Sequence, residues 1–214
     1  LMGYAGQISI GHAGFFAIGG YVSAALTTRN LAAFEASWPV RLLDGLGLIV
    51  HGQDVYGAHL LTVSPWAACG CAVSAAALIA LIIGVPVLKL KGHYLAMATL
   101  GFGTIIYRIL LASPYFGEAD GISETPGFTL LPALGSWGPL VISGDAEHRV
   151  ANFYLAWGVL IVGAWLLLNL IGSRVGRALR SLHSSEEAAA ASGVDTGRFK
   201  LQVFILSAVY AAIA

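Results

Sequence analysis

Long apolar stretches alternate with shorter polar segments along this chain. No Asp, Glu, Lys or Arg occurs in residues 1–28, 55–88, 92–107 or 150–173. A helix needs about 20 predominantly apolar residues to cross the hydrocarbon core of a bilayer. The densest apolar parts therefore predict membrane-spanning helices at residues 64–88 and 151–171. A third span is predicted at residues 92–111, because Arg108 lies near its end and can extend to the membrane interface.

The two ends of the chain carry less regular apolar patterns. Glycines interrupt the first run at positions 3, 6, 11, 14, 19 and 20. They predict a broken segment at about residues 3–11, followed by a helix at residues 12–28. The last run, residues 201–214, is too short to cross a bilayer and is expected to begin a further span. We therefore expect a fragment that forms one partial transmembrane domain over residues 1–214.

One more uncharged stretch, residues 125–144, has the length of a span but not its composition. It contains Pro126, Pro132 and Pro139 as well as several glycines, which weaken or break helical hydrogen bonding. Exposed to lipid, such a segment would leave backbone groups unpaired. It is predicted to be an external loop or an interfacial segment.

Composition and charge narrow the class of protein. Hydrophobic residues make up 57% of the chain and charged residues only 10%, whereas about 25% is usual in soluble domains. Eleven basic residues balance eleven acidic ones, without a block of one sign, which argues against a nucleic-acid partner. Cys69 and Cys71 stand too close for an unstrained disulfide and lack the spacing of a zinc site. The predicted fold is an all-α, polytopic transmembrane helical bundle.

The charged loops orient this bundle. Basic residues concentrate in the turn at Lys89 and Lys91 and in residues 173–200, and cytoplasmic loops are enriched in Lys and Arg. Most acidic residues fall in residues 29–63 and 112–149. The first two segments are therefore predicted to be cytoplasmic and the last two external. Successive spans then alternate in direction without exception.

The predicted cytoplasmic loop at residues 173–200 contains a helix signal of its own. Ser184 and Glu187 have the spacing of a capping box, alanines follow at 188–191, and Gly193 stands where a helix would end. The pattern predicts a helix of about two turns. Its small side chains would let the backbone of a partner come close. A solvated linker with ordinary caps explains the same residues equally well.

Sequence motifs for chemistry are missing. No P-loop, nucleophile-elbow motif or cluster of metal-ligating residues occurs. His12 and His93 lie in apolar segments and are expected to have hydrogen-bonded rings rather than a metal. Every Asp and Glu falls in a loop, whereas an ion-coupled carrier would need an ionisable residue within a span. This placement argues for transport driven by ATP from outside the chain. The missing motifs predict that the chain itself is not an enzyme.

Three segments resemble signatures of one family, the permeases of branched-chain amino acid ABC importers, and most closely their M-type subunit. The segments are Gly3-Tyr-Ala-Gly6-Gln7-Ile-Ser9-Ile-Gly11-His12-Ala-Gly14-Phe15-Phe16-Ala-Ile-Gly19-Gly20-Tyr21, Lys91-Gly92-His93-Tyr94-Leu-Ala96-Met97-Ala98-Thr99-Leu100-Gly-Phe102-Gly, and Arg174-Val-Gly-Arg177-Ala-Leu-Arg180 with Glu186-Glu-Ala188-Ala189-Ala-Ala-Ser-Gly193. They occur in the order of the family and cover most of the chain.

This resemblance implies a multi-pass permease in a bacterial inner membrane. Its partners would be a second permease subunit, two cytoplasmic ATP-binding subunits and a periplasmic or extracellular substrate-binding protein. The substrate would be a branched-chain or other hydrophobic amino acid. Urea or short amides, carried on the same architecture, and ion-coupled transport remain alternatives. The chain itself would need no cofactor, because the partner subunits would use ATP and Mg²⁺.

The resemblance also assigns roles to residues. The cytoplasmic loop would be the coupling helix that docks on an ATPase subunit, through Arg177, Arg180, Glu186, Glu187, Ala188, Ala189 and Gly193. In the broken amino-terminal segment, irregular backbone at membrane depth can line a substrate path. Its polar residues Gln7, Ser9 and His12, together with Thr99, are candidates for that path. Packing explains the glycines better, since small residues let transmembrane helices approach closely.

Overall fold

The computed structural model describes residues 2–7, 9–30, 37–45, 48–53, 59–90, 92–118, 120–122, 125, 127–131, 140–143 and 148–214. Parts of the predicted external segments, residues 31–36, 54–58, 132–139 and 144–147, and Lys91 of the predicted cytoplasmic turn lie outside the described residues. The helices are α1 (Met2–Ala5), α2 (His12–Thr28), α3 (Trp38–Gly45), α4 (Pro65–Val87), α5 (His93–Ala112), α6 (Arg149–Gly172), α7 (Arg174–Ser184), α8 (Glu186–Ala191) and α9 (Thr196–Ile213). The strands are β1 (Ile49–Gln53), β2 (His59–Val63), β3 (Phe128–Leu131) and β4 (Leu140–Ile142).

Helices dominate the described residues, and three of them, α4, α5 and α6, are long and apolar enough to cross a membrane. Helix α6 has no buried residue in this structure, and its Trp157, Ile161 and Leu168 are exposed apolar side chains. Such a surface is costly in water and favourable against lipid. The predicted helical membrane bundle is confirmed, as is its broken amino-terminal segment.

The all-α prediction implied that the external segments are irregular. The structure instead has two short strand pairs in them. Strands β1 and β2 form an antiparallel pair in which Ile49 faces Val63, and β3 pairs with β4. In the stretch at residues 125–144, the pairing of β3 with β4 satisfies backbone groups of these two strands. Strands this short leave too few alternating positions for the sequence to distinguish them from loops.

The chain divides into two compact units. The first comprises Leu1–Gly19, Val73–Ile109 and Leu155–Ala214, and the second comprises Gly20–Ala72 and Leu110–Tyr154. In the second unit, Arg29 donates a hydrogen bond of 2.6 Å to the carbonyl oxygen of Pro114 and lies over the ring of Tyr115. The Asn30 side chain accepts a bond from the Leu61 amide.

The first unit has an aromatic centre surrounded by small residues. Phe15 of α2 lies 4.8 Å from Phe102 of α5 and 5.7 Å from Phe204 of α9, measured between ring centroids. Gly84 of α4 packs against the same Phe204 ring, 3.1 Å from where its Cβ would lie. Four helices therefore meet around side chains that are almost fully buried. This packing places the broken segment beside α5 and α9.

Candidate functional site

The predicted coupling segment, residues 173–200, is a compact helical hairpin rather than a loop with one helix. It begins with a sharp turn, because the Ser173 side chain caps α7 by accepting bonds from the amides of Val175 and Gly176. A Cβ at Gly176 would overlap the carbonyl oxygen of Ile171. Only glycine lets the chain turn this tightly from α6 into α7.

Helix α7 was not predicted, although its sequence is strongly amphipathic. Leu179 and Leu182 are buried on one side, while Arg177 and Arg180 are exposed on the other. The short helix α1 packs against α7, and the Arg180 guanidinium lies 5.6 Å from the centroid of the Tyr4 ring. The two arginines predicted for ATPase coupling therefore belong to a helix that is fixed to the broken amino-terminal segment.

Helix α8 starts one residue later than the sequence predicted. Ser185, not Ser184, is its N-cap and accepts a bond of 3.2 Å from the amide of Ala188. The reason is that α7 continues through Ser184, whose hydroxyl donates to the carbonyl oxygen of Ser181. Gly193 ends the hairpin helix as predicted, with a φ of +81° that favours glycine. The helix has six residues, close to the two turns expected.

The predicted coupling residues of α8 fall on two different sides. Glu187 and Ala188 are exposed, as are the neighbouring Ala190 and Ala191. Ala189 is buried, with 2% of its surface exposed. The six residues of α8 thus present one small, open surface, which we call the outer face of α8, made of Glu187, Ala188, Ala190 and Ala191.

The remaining predicted residue, Glu186, fixes α8 to α9 through an ion pair with Lys200. The Lys200 side chain is only 13% exposed, so this pair is better shielded from water than an ordinary surface pair. Lys200 was not among the residues predicted from the sequence. The available signal was its position one turn inside a largely apolar helix, but its partner depends on the turn geometry at residues 192–195.

The predicted path residues Ser9, His12 and Thr99 lie close together and are hydrogen-bonded. The Thr99 hydroxyl accepts from the amide of Ile10 at 3.1 Å and donates to the carbonyl oxygen of Ala96. A Cβ at Gly11 would overlap the Thr99 carbonyl oxygen. Close packing of the broken segment on α5 therefore accounts for this glycine and for the buried threonine. Contact with a substrate stays a prediction for all three path residues.

The His12 ring connects the broken segment to α9. Its Nε2 lies 3.0 Å from the Ser207 hydroxyl and its Nδ1 lies 3.3 Å from the Ser9 hydroxyl. The Ser207 hydroxyl also donates to the carbonyl oxygen of Phe204. The His12 ring therefore bridges the broken segment and α9 through two serine hydroxyls. The expected hydrogen-bonded ring of His12 is confirmed, whereas His93 is exposed at the start of α5.

Gln7, the fourth predicted path residue, differs from the others. It is 3% exposed, yet neither its amide oxygen nor its amide nitrogen has a hydrogen-bond partner among the described residues. Leaving a buried polar group unpaired costs about 1–3 kcal/mol. Gln7 lines a cavity of about 160 Å³ in the first unit, together with Ala5, Gly6, Leu88, Leu90, Gly92, Leu95, Leu182, His183, Glu186 and Lys200. The structure therefore connects the broken segment to the coupling hairpin through a cavity with a polar lining.

Metal chemistry finds no support in the part of the chain that the structure describes. No group of three His, Cys, Asp or Glu side chains is placed there to hold an ion. Cys69 and Cys71 are exposed free thiols on α4.

Similarity to known proteins identifies the family of this chain. Residues 1–214 match the family model described as branched-chain amino acid transport system / permease component. The chain belongs to this family. It is 31% identical over 227 residues to the high-affinity branched-chain amino acid transport system permease protein LivM of Salmonella typhimurium and 30% identical to LivM of Escherichia coli. Each alignment covers 100% of this chain and 46% of the relative, so the chain spans about half the length of the curated relatives it matches. No solved structure matches the chain.

Family membership confirms the resemblance drawn from the three sequence motifs. Parts of all three motifs meet in the first unit: the broken segment packs on α5 at Thr99 and, through α1, on α7. Members of this family are permease components of transport systems. The three apolar helices that are long enough to cross a membrane agree with such a role.

Proposed function

We propose that this chain is part of the membrane-spanning permease subunit of an ATP-driven ABC importer for branched-chain or other hydrophobic amino acids. A second permease subunit, two cytoplasmic ATP-binding subunits and a substrate-binding protein complete the importer, in a bacterial inner membrane. The chain contributes the path and the coupling surface, and the ATP-binding subunits hydrolyse ATP. Its membership of the permease family and its similarity to LivM support this proposal.

The observation that carries the coupling role is the outer face of α8. A short capped helix exposes four residues, three of them alanines, while the Glu186–Lys200 pair and the buried Ala189 hold it on the rest of the hairpin. Small exposed side chains let a partner backbone come close, and a fixed helix transmits a displacement instead of absorbing it. The outer face of α8 therefore docks in a groove of an ATP-binding subunit, and closure of the ATP-binding subunits moves α7 and α9 with it.

Bulky substitutions on this face test the proposal. In the full-length protein within its complex, Ala188→Trp or Ala190→Trp is expected to lower ATP-dependent leucine uptake into proteoliposomes by at least about tenfold. Substrate-stimulated ATP hydrolysis is expected to fall with it. Ala112→Trp is the control, because this alanine is also exposed at a helix end but lies next to the predicted external segment. Uptake and stimulation that survive both α8 variants would refute the coupling role, and uptake that never depends on ATP would refute the importer.

A further inference from the structure

The cavity beside Gln7 holds hydrogen-bonding capacity that the described residues do not use. The Gln7 amide can donate two hydrogens and accept at its oxygen, and in this structure it does neither within the described residues. Buried polar groups are rarely left unpaired unless a water or a ligand completes them. The amide lines a cavity instead of packing against apolar atoms. A small polar molecule in the cavity would satisfy it.

The charged groups of the cavity indicate which molecule fits. Glu186 and Lys200 pair with each other across one side of the cavity, and both contribute to its lining. A free α-amino acid carries the same two charges, separated by a single carbon. Its carboxylate can interact with Lys200 while its ammonium group interacts with Glu186. The Gln7 amide can then donate to the carboxylate or accept from the ammonium group.

The size and the apolar lining of the cavity agree with the same ligand class. A cavity of roughly 150 Å³ admits benzene, a molecule of about six non-hydrogen atoms. The cavity here, at about 160 Å³, holds the zwitterionic part of an amino acid and its first side-chain carbon. Four leucines complete the lining, and Leu90 is 41% exposed at one edge. An aliphatic side chain can leave the polar end along these leucines.

We propose that this cavity is a binding site for a free aliphatic α-amino acid in its zwitterionic form. The choice of an aliphatic side chain rests on the proposed function, while the zwitterion is argued from Gln7, Glu186 and Lys200. The ligand competes with the ion pair that holds α8 on α9. Occupancy of the cavity therefore loosens the attachment of the helix that carries the coupling surface.

Equilibrium binding to the complete importer tests this site. The complex is purified in lipid nanodiscs without its substrate-binding protein, and radiolabelled L-leucine is the probe. Gln7→Met removes both hydrogen-bonding groups at similar length and is expected to weaken leucine binding by at least about tenfold. Gln202→Met is the matched control, because this glutamine is exposed on α9, and it is expected to leave the affinity within about twofold.

Two analogues that each lack one charge examine the zwitterion directly. Isoamylamine lacks the carboxylate and 4-methylpentanoate lacks the ammonium group, and each is expected to compete at least about tenfold more weakly than leucine. Lys200→Met is expected to weaken leucine binding, while Lys89→Met, at an exposed lysine, leaves it unchanged. Thermal unfolding of the Gln7→Met complex is expected at the same or a higher temperature, which separates loss of binding from loss of folding.

The proposal would be overturned if the complex did not bind leucine, or if the wild type and Gln7→Met bound it equally. Water would then be the occupant of the cavity. ATP-dependent uptake is measured on the same preparations with the binding protein restored. Uptake without binding at the cavity refutes this inference alone. Binding that depends on Gln7 in a complex without ATP-dependent uptake supports this site and refutes the proposed function.

Discussion

Gly19 of α2 and its neighbour Gly20 offer a direct measurement of how closely the helices of the first unit pack. A Cβ at Gly19 would lie 2.8 Å from Cα and 2.9 Å from the carbonyl carbon of Ala212 and would overlap the carbonyl oxygen of that residue. Nothing lies within 4 Å of the corresponding position at Gly20. The two adjacent glycines thus have the same intrinsic helix propensity, but Gly19 is tightly packed against α9 and Gly20 has open space beside it.

The magnitude follows from these distances. Replacing a helical glycine by alanine is favourable by about 0.8–1 kcal/mol when there is room, so Gly20→Ala is expected to be neutral or stabilising. Gly19→Ala has the same gain, but carbon atoms pack best at about 3.5–4.0 Å, and α2 and α9 would have to separate by roughly 1 Å. Overpacking of this kind costs about 1–3 kcal/mol. The free energies of unfolding of the two variants are expected to differ by about that amount.

Reversible unfolding in mixed micelles, with increasing mole fraction of sodium dodecyl sulfate, measures both variants against the wild type. The Gly19→Ala variant is expected to unfold at a lower detergent fraction than the Gly20→Ala variant. Equal midpoints for the two variants would show that α2 and α9 do not approach each other as closely as the structure places them, and that the amino-terminal glycines need another explanation.

Three further measurements examine the polar contacts and the orientation of the chain. Ser207→Ala removes the hydroxyl beside Nε2 of the half-buried His12 ring and is expected to lower the free energy of unfolding by about 1–2 kcal/mol, whereas Thr104→Val, at an exposed hydroxyl, changes it by less than about 0.5 kcal/mol; equal effects would show that the hydrogen bond between His12 and Ser207 does not stabilise the fold. Ser185→Ala is expected to accelerate hydrogen exchange of the α8 amides by roughly fivefold, consistent with the loss of a cap worth about 1 kcal/mol, and Ser184→Ala to leave it unchanged; the reverse result would restore the earlier cap. Ser192→Cys, in a chain whose native cysteines are replaced, is expected to react with a membrane-impermeant maleimide only from the cytoplasmic side, and labelling of intact cells from outside would reverse the orientation.

The sequence predicted the helices of the bundle well because long uncharged runs have few structural alternatives. The helix at residues 12–28 and the break before it follow from where the glycines lie, and the structure has the same boundaries. The cap of α8 was wrong by one residue because two consecutive serines satisfy local rules, and the choice between them depends on how far α7 continues. Local preference could not resolve it.

The site was less predictable than the fold because its contacts join residues far apart in the chain. Gln7 was a candidate from its position in a broken segment, but that its amide is unpaired depends on what α5 and α7 place around it. Lys200 was not a candidate, since a lysine near the start of a span usually extends to the interface. Here a turn at Gly193 brings Glu186 to it instead.

The tight turn at Gly176 has a mechanical consequence for the whole hairpin. The Gly176 backbone packs closely against the Ile171 carbonyl group. The turn between α6 and α7 therefore cannot bend without breaking the Ser173 cap. At the opposite end the hairpin is clamped to α9 by an ion pair. A displacement of the exposed alanines of α8 is therefore transmitted through two attachments. The attachment to α6 is rigid, whereas the attachment to α9 depends on an ion pair that can dissociate.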